Sequence, residues 1–251
     1  MKDLFSTRSD LYAKFRPTYP EALFHFLASK ANAVGRLWDC ATGNGQVAGP
    51  MSLVFAEVYA TDISSSQISN AVQAPNIFYS IQPAEKVDFP GDYFDMITVS
   101  QAIHWFNFDA FYHEVARTLK PGGVFAAIGY GMFNVMDDEK TDRETQAFYH
   151  DVTGPYWDSE RKYVDGHYQN IPFPFLELET PEFSIDKKWT RADLLGYLST
   201  WSAVKNYIRI NKKDPIVDLE AQLLRSWPAD QEKQIRFPVF MRMGKLRDKS
   251  L

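Results

Sequence analysis

Residues 37–46 read Leu-Trp-Asp-Cys-Ala-Thr-Gly-Asn-Gly-Gln. This stretch predicts the elements on either side of it. The apolar residues at its start favour a buried strand. Gly43 and Gly45 permit a tight turn and a close approach of the backbone to a ligand. The segment from Gln46 to Val54 is compatible with a helix. The sequence therefore predicts a strand, a glycine loop and a helix that together hold a small molecule.

The charges of this segment distinguish two classes of ligand. Gly43, Gly45 and Ala48 match a degenerate dinucleotide fingerprint, which would place a pyrophosphate on the helix N-terminus. However, residues 37–54 contain no Lys or Arg, and Asp39 at the strand end would repel a pyrophosphate. S-adenosylmethionine has no phosphate and carries an ammonium and a sulfonium, so Asp39 favours that ligand. The alternative without a ligand is that Asp39 only caps the loop.

The next predicted strand, Val58 to Asp62, ends in a second acid. Asp62 lies 17 residues after Gly45, close to the spacing at which βαβ units place a carboxylate on ribose hydroxyls. An N-cap role is the alternative. Ile63 is placed to pack on an adenine face, and the serines after it predict a capped helix.

Composition excludes several other classes of protein. The chain has 251 residues, 45% of them hydrophobic and 24% charged, as in an ordinary globular protein. Its net charge of −5 argues against nonspecific binding to nucleic acid or to an anionic membrane. The single cysteine, Cys40, excludes an internal disulfide and argues against a cysteine-based zinc site, so we expect core packing and no metal. No apolar run reaches the ~20 residues of a membrane span, and the charged N-terminus is unlike a signal peptide, so a cytoplasmic location is expected.

Strands and helices alternate through the first half of the chain. The pattern predicts helices over Glu21–Lys30 and Asp109–Leu119 and strands over Ile77–Ile81, Phe94–Val99 and Val124–Ile128. Residues 120–123, Lys-Pro-Gly-Gly, predict an abrupt stop and a turn. This alternation indicates a doubly wound α/β fold with a mostly parallel sheet.

The alternation of strands and helices ends after Gly131. Residues 132–175 are rich in aromatic side chains. We interpret this segment as a helical cover over the carboxyl edge of the sheet, which either forms an apolar wall for a substrate or only closes the core. The remaining predicted elements are a strand over Leu176–Ile185, a helix over Arg191–Ile208 and a strand over Ile235–Met243. We expect one domain, with an N-terminal arm and helix (1–30), a cofactor-binding core (31–131), the cover (132–175) and a C-terminal part of the sheet (176–251).

Five motifs in order carry a family resemblance. They are the glycine loop at 39–45, Asp62, Ala84-Glu85, Phe94-Asp95 and Leu119-Lys120-Pro121-Gly122-Gly123. The chain resembles class I S-adenosylmethionine-dependent methyltransferases, in particular the small-molecule group related to trans-aconitate methyltransferase. Residues 12–20 and 101–106 look like segments of that group. The resemblance implies a Rossmann-like methyltransferase fold with a seven-stranded sheet.

The resemblance also implies roles for particular residues. The glycine loop would contact the methionine part of the cofactor, Asp62 the ribose, and Ala84 and Glu85 the adenine. Two positions depart from the family pattern: Ala41 replaces a glycine, and Pro83 stands where many members have an acid. The complete set of predicted cofactor residues is Asp39, Ala41, Gly43, Gly45, Asp62, Ile63, Ala84, Glu85, Gln101, Tyr12, Arg16 and Tyr19.

Methyl transfer from a sulfonium is an in-line displacement that needs alignment and exclusion of water. A carboxylate acceptor is already ionised and needs no base. A phenol or an amine would use one, and His104, which follows the fourth strand, is the candidate for catalysis. The predicted substrate residues are His104, Trp105, Tyr130 and Trp201, and the arginines considered for a substrate carboxylate are Arg16, Arg191 and Arg209.

The leading hypothesis is therefore O-methylation of a small-molecule acceptor, an organic acid, without nucleic-acid or membrane partners. Three alternatives remain open at this point. They are a methyltransferase for a macromolecule, a non-catalytic protein that binds S-adenosylmethionine, and a nicotinamide-dependent oxidoreductase that Asp39 disfavours.

Overall fold

The structure is a computed structural model that describes residues 15–246. Tyr12, which sequence analysis placed over the cofactor, lies outside the described residues. One sheet organises the described chain. Its strands are β1 (Arg36–Cys40), β2 (Glu57–Asp62), β3 (Ile77–Ile81), β4 (Phe94–Ser100), β5 (Leu119–Tyr130), β6 (Asn134–Val135), β7 (Leu176–Leu178), β8 (Phe183–Trp189) and β9 (Lys233–Lys245).

The first half of the sheet is parallel, in the order β3-β2-β1-β4-β5. The strand order reverses between β1 and β4, so the connections that leave these two strands turn in opposite directions. Ligands of open α/β sheets bind in the crevice outside the carboxyl ends at such a reversal. The predicted doubly wound fold is confirmed, and its crevice falls on the glycine loop after β1.

The second half of the sheet is built on β9. This 13-residue strand runs antiparallel to β5 and also pairs with β6, β7 and β8. The sheet thus has nine strands rather than seven, and antiparallel pairing is confined to this half. The strand predicted over residues 176–185 is two strands, because Pro181 between them has no N–H for the ladder.

Two other predicted boundaries differ from the structure. The segment 120–123 lies within β5, where the register shifts and Gly122 adopts φ +73°, so the expected turn is a local irregularity of the strand. The helix predicted over residues 46–54 has a regular core of only four residues, because Pro50 supplies no N–H.

The helices described are α1 (Glu21–Lys30), α2 (Ala48–Met51), α3 (Ser65–Ser69), α4 (Phe108–Thr118), α5 (Glu139–Ala147), α6 (Arg161–Asp165), α7 (Arg191–Ser199), α8 (Ser202–Asn211) and α9 (Pro215–Leu223). Helix α1 has the predicted bounds. The single helix predicted over residues 191–208 is two, because the backbone becomes extended at Trp201 (ψ 136°). Helix α9 was not predicted, although Asp214 caps it and Pro215 occupies its first turn.

The sheet is buried on both faces. Leu37 and Met96 belong to one apolar cluster, and Trp38 and Ile97 belong to the cluster on the opposite face. Because successive side chains of β4 enter these two clusters in turn, its apolar pattern is uninterrupted. Cys40 is buried in the second cluster, and burial raises the pKa of its thiol well above the usual value, which confirms the expected packing role. Within residues 15–246 we find no helix with the length and apolar character that a bilayer crossing requires.

Candidate active site

The Asp39 side chain fixes the position of the glycine loop. Its carboxylate accepts hydrogen bonds from the Thr42 hydroxyl (2.6 Å), the Thr98 hydroxyl (2.9 Å) and the backbone N–H of Ala48 (3.1 Å). These bonds connect β1, the loop, β4 and the start of α2. Burial raises the pKa of Asp39 to about 6, while the three hydrogen bonds act in the opposite direction. Asp39 therefore clamps the loop and also lines the pocket above it.

The loop backbone is left-handed at three positions. Gly43 and Gly45 have φ values of +58° and +84°, and Ala41 has +53°. A side chain at Gly45 would start 2.6 Å from the Tyr79 hydroxyl, whereas a Cβ at Gly43 would meet no atom within 4 Å. The space beside Gly43 is therefore open for a ligand, and the conformation explains why glycine suits position 41 as well.

Asp62 bridges the loop and the end of β2. Its carboxylate accepts hydrogen bonds from the backbone N–H groups of Gly43 and Ser64, each at 2.9 Å. A carboxylate can accept about four hydrogen bonds, so this geometry is compatible with a ribose ligand as well. The alternative role as a simple N-cap falls to Ser64, whose hydroxyl caps α3.

The residues predicted for adenine lie at the neighbouring strand ends. Ile63 is half-buried directly after Asp62, and Ala84 is buried in the loop after β3. Glu85 is half-buried, and its carboxylate accepts a hydrogen bond from the backbone N–H of Asn107 (3.2 Å). These positions agree with an adenosine moiety laid across β1, β2 and β3.

A first pocket, the glycine-loop pocket, opens between β1 and β4. On one side of this pocket, the Ser100 hydroxyl donates a hydrogen bond to the Tyr19 hydroxyl (2.7 Å). Arg16 donates to the Tyr130 hydroxyl (3.0 Å), and Gln101 donates to the Tyr130 carbonyl (2.9 Å). The pocket is lined by Arg16, Tyr19, Asp39, Ala41, Thr42, Gly43, Asn44, Gln46, Val47, Ser100, Gln101 and Tyr130.

A second pocket, the aromatic pocket, adjoins the first. Arg16, Gln101 and Tyr130 line both pockets, so these residues mark the junction. The cover contributes one wall, including Trp157 and Arg161, and the segments after β4 and around α7 and α8 contribute others. The aromatic pocket is lined by Arg16, Gln101, His104, Trp105, Tyr130, Gly131, Trp157, Asp158, Arg161, Val164, Tyr197, Trp201 and Ser202.

His104 is buried in the wall of the aromatic pocket. Its Nδ1 atom lies 3.2 Å from the Tyr168 hydroxyl, and its ring packs against Trp105 at 4.9 Å. Burial lowers the pKa of His104 to about 3, and the charge of Arg161 acts in the same direction. His104 is thus neutral near pH 7.

Arg161 is held by the cover. Its Nε donates to the Tyr149 hydroxyl (2.8 Å) and to the Asp165 carboxylate (3.0 Å), and Tyr149 also donates to Asp165 (2.6 Å). The guanidinium carbon lies 4.5 Å from the centre of the Trp157 ring. Within the described residues the two Nη groups of Arg161 have no hydrogen-bond partner, so its planar donor edge is available to a ligand.

Within residues 15–246, buried polar atoms of the pocket lining lack a hydrogen-bond partner at the indole nitrogens of Trp105 and Trp157 and at the Oδ2 atom of Asp158. An unsatisfied buried polar group costs about 1–3 kcal/mol. Their concentration in one pocket indicates a site whose hydrogen bonds are completed by a ligand.

The structure brings most of the predicted residues together. All four predicted substrate residues, His104, Trp105, Tyr130 and Trp201, line the aromatic pocket. Arg16 joins them, whereas Arg191 donates to the Trp227 carbonyl and Arg209 contacts Asn206, so neither lines a described pocket. Sequence reasoning missed Asp158, Arg161 and Tyr197.

Comparison with known proteins places this geometry in a family. The sequence profile of the methyltransferase domain matches residues 38–127. A Dictyostelium discoideum protein named as a methyltransferase is 32% identical over 249 residues, which cover 97% of this chain and 95% of that protein. The chain belongs to the class I S-adenosylmethionine-dependent methyltransferases.

Solved structures agree with this membership. An Anaeromyxobacter dehalogenans protein described as a type II methyltransferase superimposes on the methyltransferase chain with a TM-score of 0.85. The two are 37% identical, and the match covers 92% of this chain and 98% of the other. The YcgJ protein of Bacillus subtilis, at 17% identity and a TM-score of 0.51 over 91% of this chain and all of that one, shares the fold. The Rossmann-like methyltransferase fold is therefore confirmed.

The cofactor of the methyltransferase is S-adenosylmethionine, and the residues present fit it. The loop leaves open space at Gly43, no cation stands in residues 37–54 to attract a phosphate, and Asp39 and Asp62 lie at the carboxyl ends of β1 and β2. Gly43 and the residues around Asp39 suit the methionine part, and Asp62 suits the ribose. The roles of the individual residues stay predictions.

Proposed function

We propose that this methyltransferase methylates a carboxylate oxygen of a small organic acid. The observation that carries the proposal is the pair of arginines, Arg16 and Arg161, in the aromatic pocket next to the glycine-loop pocket. Guanidinium groups bind carboxylates through paired hydrogen bonds. The likeness of residues 12–20 and 101–106 to the trans-aconitate methyltransferase group adds support.

S-adenosylmethionine, when bound, supplies an activated methyl group, so the protein has to position the acceptor and keep water away. Arg161 is pre-oriented by Tyr149 and Asp165 and would hold the acid from the cover side. Arg16 would hold it at the junction of the pockets. The rings of Trp105 and Trp201 would exclude water from the acceptor.

The state of His104 favours an acceptor that is already ionised. A general base works best when its pKa lies near the operating pH, and the pKa of His104 is about 3. A neutral imidazole with so low a pKa is a weak acceptor for a phenol or ammonium proton. A carboxylate needs no proton removed above its pKa of ~4. We therefore infer that His104 orients the substrate, as part of the pocket wall, and does not act as a base.

Two alternatives make different predictions. A methyltransferase for a macromolecule would need a basic groove, whereas the charged residues of the aromatic pocket are Arg16, Arg161 and Asp158 inside an aromatic cover. A non-catalytic protein would bind S-adenosylmethionine without turnover. Its support is the strained Ala41 and the substitution at Pro83.

A matched set of acceptors tests the proposal. The purified protein is given S-adenosylmethionine and 3-phenylpropionate, 4-ethylphenol or 2-phenylethylamine, which present a carboxylate, a phenol and an amine on similar bodies. Release of S-adenosylhomocysteine is followed. We expect kcat/KM for the carboxylate to exceed the others by about 100-fold, since only it has a charge complementary to the arginines.

A variant and a pH profile complete the test. Arg161→Gln should lower kcat/KM for the acid by about 50-fold, as loss of a charge-assisted pair implies. The exposed Arg143→Gln is the matched control and should have no effect. The rate should stay flat between about pH 7 and 9, because the carboxylate and His104 do not titrate there and Asp39, with a pKa of about 6, is already ionised. Faster turnover of the phenol or the amine would overturn carboxylate specificity.

A further inference from the structure

The aromatic pocket contains one acid, Asp158, that the proposed function does not use. Its Oδ2 atom is buried and has no hydrogen-bond partner among the residues that the structure describes. Asp158 precedes Arg161 by one helical turn, and the backbone N–H of Arg161 donates to the Asp158 carbonyl. Nevertheless, no ion pair joins Asp158 to an arginine within the described residues. The carboxylate therefore keeps its capacity to accept a hydrogen bond from a ligand.

The surrounding groups restrict what this ligand can be. Trp105 and Trp157 contribute indole N–H groups that have no hydrogen-bond partner in the described part of the chain, and an indole N–H can only donate. The pocket thus offers donors for an anion and one strong acceptor for a hydrogen on the same ligand. An acceptor molecule with a carboxylate alone would leave Asp158 buried and unsatisfied.

The charged groups at the pocket distinguish two kinds of donor group. Arg16, Arg161 and Asp158 line the pocket, and Asp165, outside the lining, pairs with Arg161. A hydroxyl on the ligand adds no charge, whereas an ammonium adds a third cation beside the two guanidinium groups. A hydroxy monocarboxylate is a monoanion, whereas an amino acid with one carboxylate is neutral overall.

The pocket walls supply the third constraint. Trp157 and Trp201 pack with ring centres 5.3 Å apart, and Tyr197 packs against Trp201 at 5.7 Å. Flat aromatic walls favour an apolar or aromatic body on the ligand, because polar groups placed against them would lose their hydrogen bonds to water.

We propose that the acceptor is a hydroxy carboxylic acid with an apolar or aromatic body, and that Asp158 selects it by accepting the hydrogen bond of the substrate hydroxyl. Arg16 and Arg161 hold the carboxylate, and the indole N–H groups of Trp105 and Trp157 complete the polar contacts. This inference rests on the proposed function and names its substrate class. Asp158 is a specificity-determining residue rather than a base.

The test compares acids that differ by one group. The parent is 3-phenylpropionate, and the hydroxy acids are 2-hydroxy-3-phenylpropionate, 3-hydroxy-3-phenylpropionate and 3-(4-hydroxyphenyl)propionate. Phenylalanine carries an ammonium in place of the hydroxyl. Relative kcat/KM values are measured by mass spectrometry of the methylated products in mixtures. We expect at least one hydroxy acid to exceed the parent by about 30-fold or more, and phenylalanine to fall below the parent.

Variants connect this preference to Asp158. Asp158→Ala should reduce the preference for the best hydroxy acid over the parent, taken as the ratio of their kcat/KM values, to about twofold. Asp151→Ala, in an exposed part of the same cover, is the matched control and should keep the preference. Thermal melts with S-adenosylhomocysteine confirm that each variant is folded and binds the cofactor product.

The outcomes separate this inference from the proposed function. Methyl ester formed on the parent acid, with no hydroxy acid preferred or with a preference that survives in Asp158→Ala, would overturn the role of Asp158 alone. A preference for phenylalanine would overturn the hydroxyl assignment. Absence of methyl ester on every acid, together with turnover of a phenol or an amine, would overturn the proposed function itself.

Discussion

At the scale of single residues, Ala41 holds the most strained backbone of the glycine loop. Its φ of +53° lies in the left-handed region, which costs an L-residue with a Cβ roughly 1–2 kcal/mol. Ala41→Gly removes that cost, partly offset by greater freedom of the unfolded chain. We expect the variant to gain about 0.5–1 kcal/mol in the free energy of unfolding, measured by urea titration.

Ala48→Gly is the matched control for this substitution. Ala48 lies in α2 and is fully buried, so glycine there should cost about 1 kcal/mol. A gain in the free energy of unfolding at position 41 together with a loss at position 48 would show that the left-handed backbone at Ala41 is strained. A loss of stability at both positions would contradict it.

Asp39 gives the protein a pH-dependent stability. Its pKa is raised to about 6 in the folded state, so between about pH 4 and 6 the folded chain holds a proton that the unfolded chain releases. The contribution of Asp39 to the free energy of unfolding therefore falls as pH rises through this window, by about 2 kcal/mol between roughly pH 4.5 and 7. We expect Asp39→Asn to lose that component.

The measurement compares urea unfolding of wild type and Asp39→Asn at both pH values. Titration of all other groups cancels in the difference between the two proteins. The same pH dependence in both would show that burial does not raise the pKa of Asp39.

At the scale of elements, the cover is an ordered support for Arg161. Asp165 at the end of α6 accepts a hydrogen bond from the Arg161 guanidinium. Tyr149, in the helical turn that directly follows α5, accepts another. Asp165→Asn weakens this orientation without touching the pockets. We expect KM for the carboxylic acid to rise about fivefold while kcat changes less than about twofold, since the loss is in substrate binding.

The affinity for S-adenosylhomocysteine is the control, measured by calorimetry on the same variant. It should be unchanged, because Asp165 does not line the glycine-loop pocket. A parallel loss of cofactor affinity would mean that Asp165 supports the fold in general and that Arg161 has no specific role.

The elements differ in how far the sequence predicts them. The five parallel strands and α1 carry local signals, namely apolar runs bounded by turn residues, and their positions follow. The split at Trp201 does not follow, because the pattern of residues 191–208 remains helical. It depends on packing of the Trp201 ring against Trp157 and Tyr149 from a distant part of the chain.

The sequence likewise predicts only part of the candidate site. His104 and Trp105 were predicted because they follow a strand at the sheet's carboxyl edge. Asp158 and Arg161 were missed because, in the sequence, an acid and an arginine within the cover look like ordinary surface residues. Only the fold of the cover reveals that they face an aromatic pocket.

At the scale of the whole molecule, the fold joins the glycine-loop pocket to the aromatic pocket. The parallel half of the sheet positions the glycine loop. The antiparallel half around β9 supports the end of β5, and with it Tyr130, which lines both pockets. The glycine-loop pocket and the aromatic pocket therefore meet at one edge of a single sheet.

This arrangement predicts a stabilisation of the entire chain by the cofactor product. S-adenosylhomocysteine at about 100 times its dissociation constant should add about 2.7 kcal/mol, which moves the melting midpoint by roughly 5–10 °C. NAD at the same concentration should have no effect. Asp62→Ala should abolish most of the shift, and an equal shift with NAD would contradict the assignment of the glycine-loop pocket.

The most direct test of carboxylate methylation is the location of the transferred methyl group. The protein is incubated with S-adenosylmethionine carrying a CD3 group and the best acid of the matched series, and the product is examined by mass spectrometry before and after mild alkali. We predict a CD3 ester that alkali returns to the unlabelled acid. A CD3 group that survives alkali, on a hydroxyl, nitrogen or carbon of the acceptor, would contradict the account.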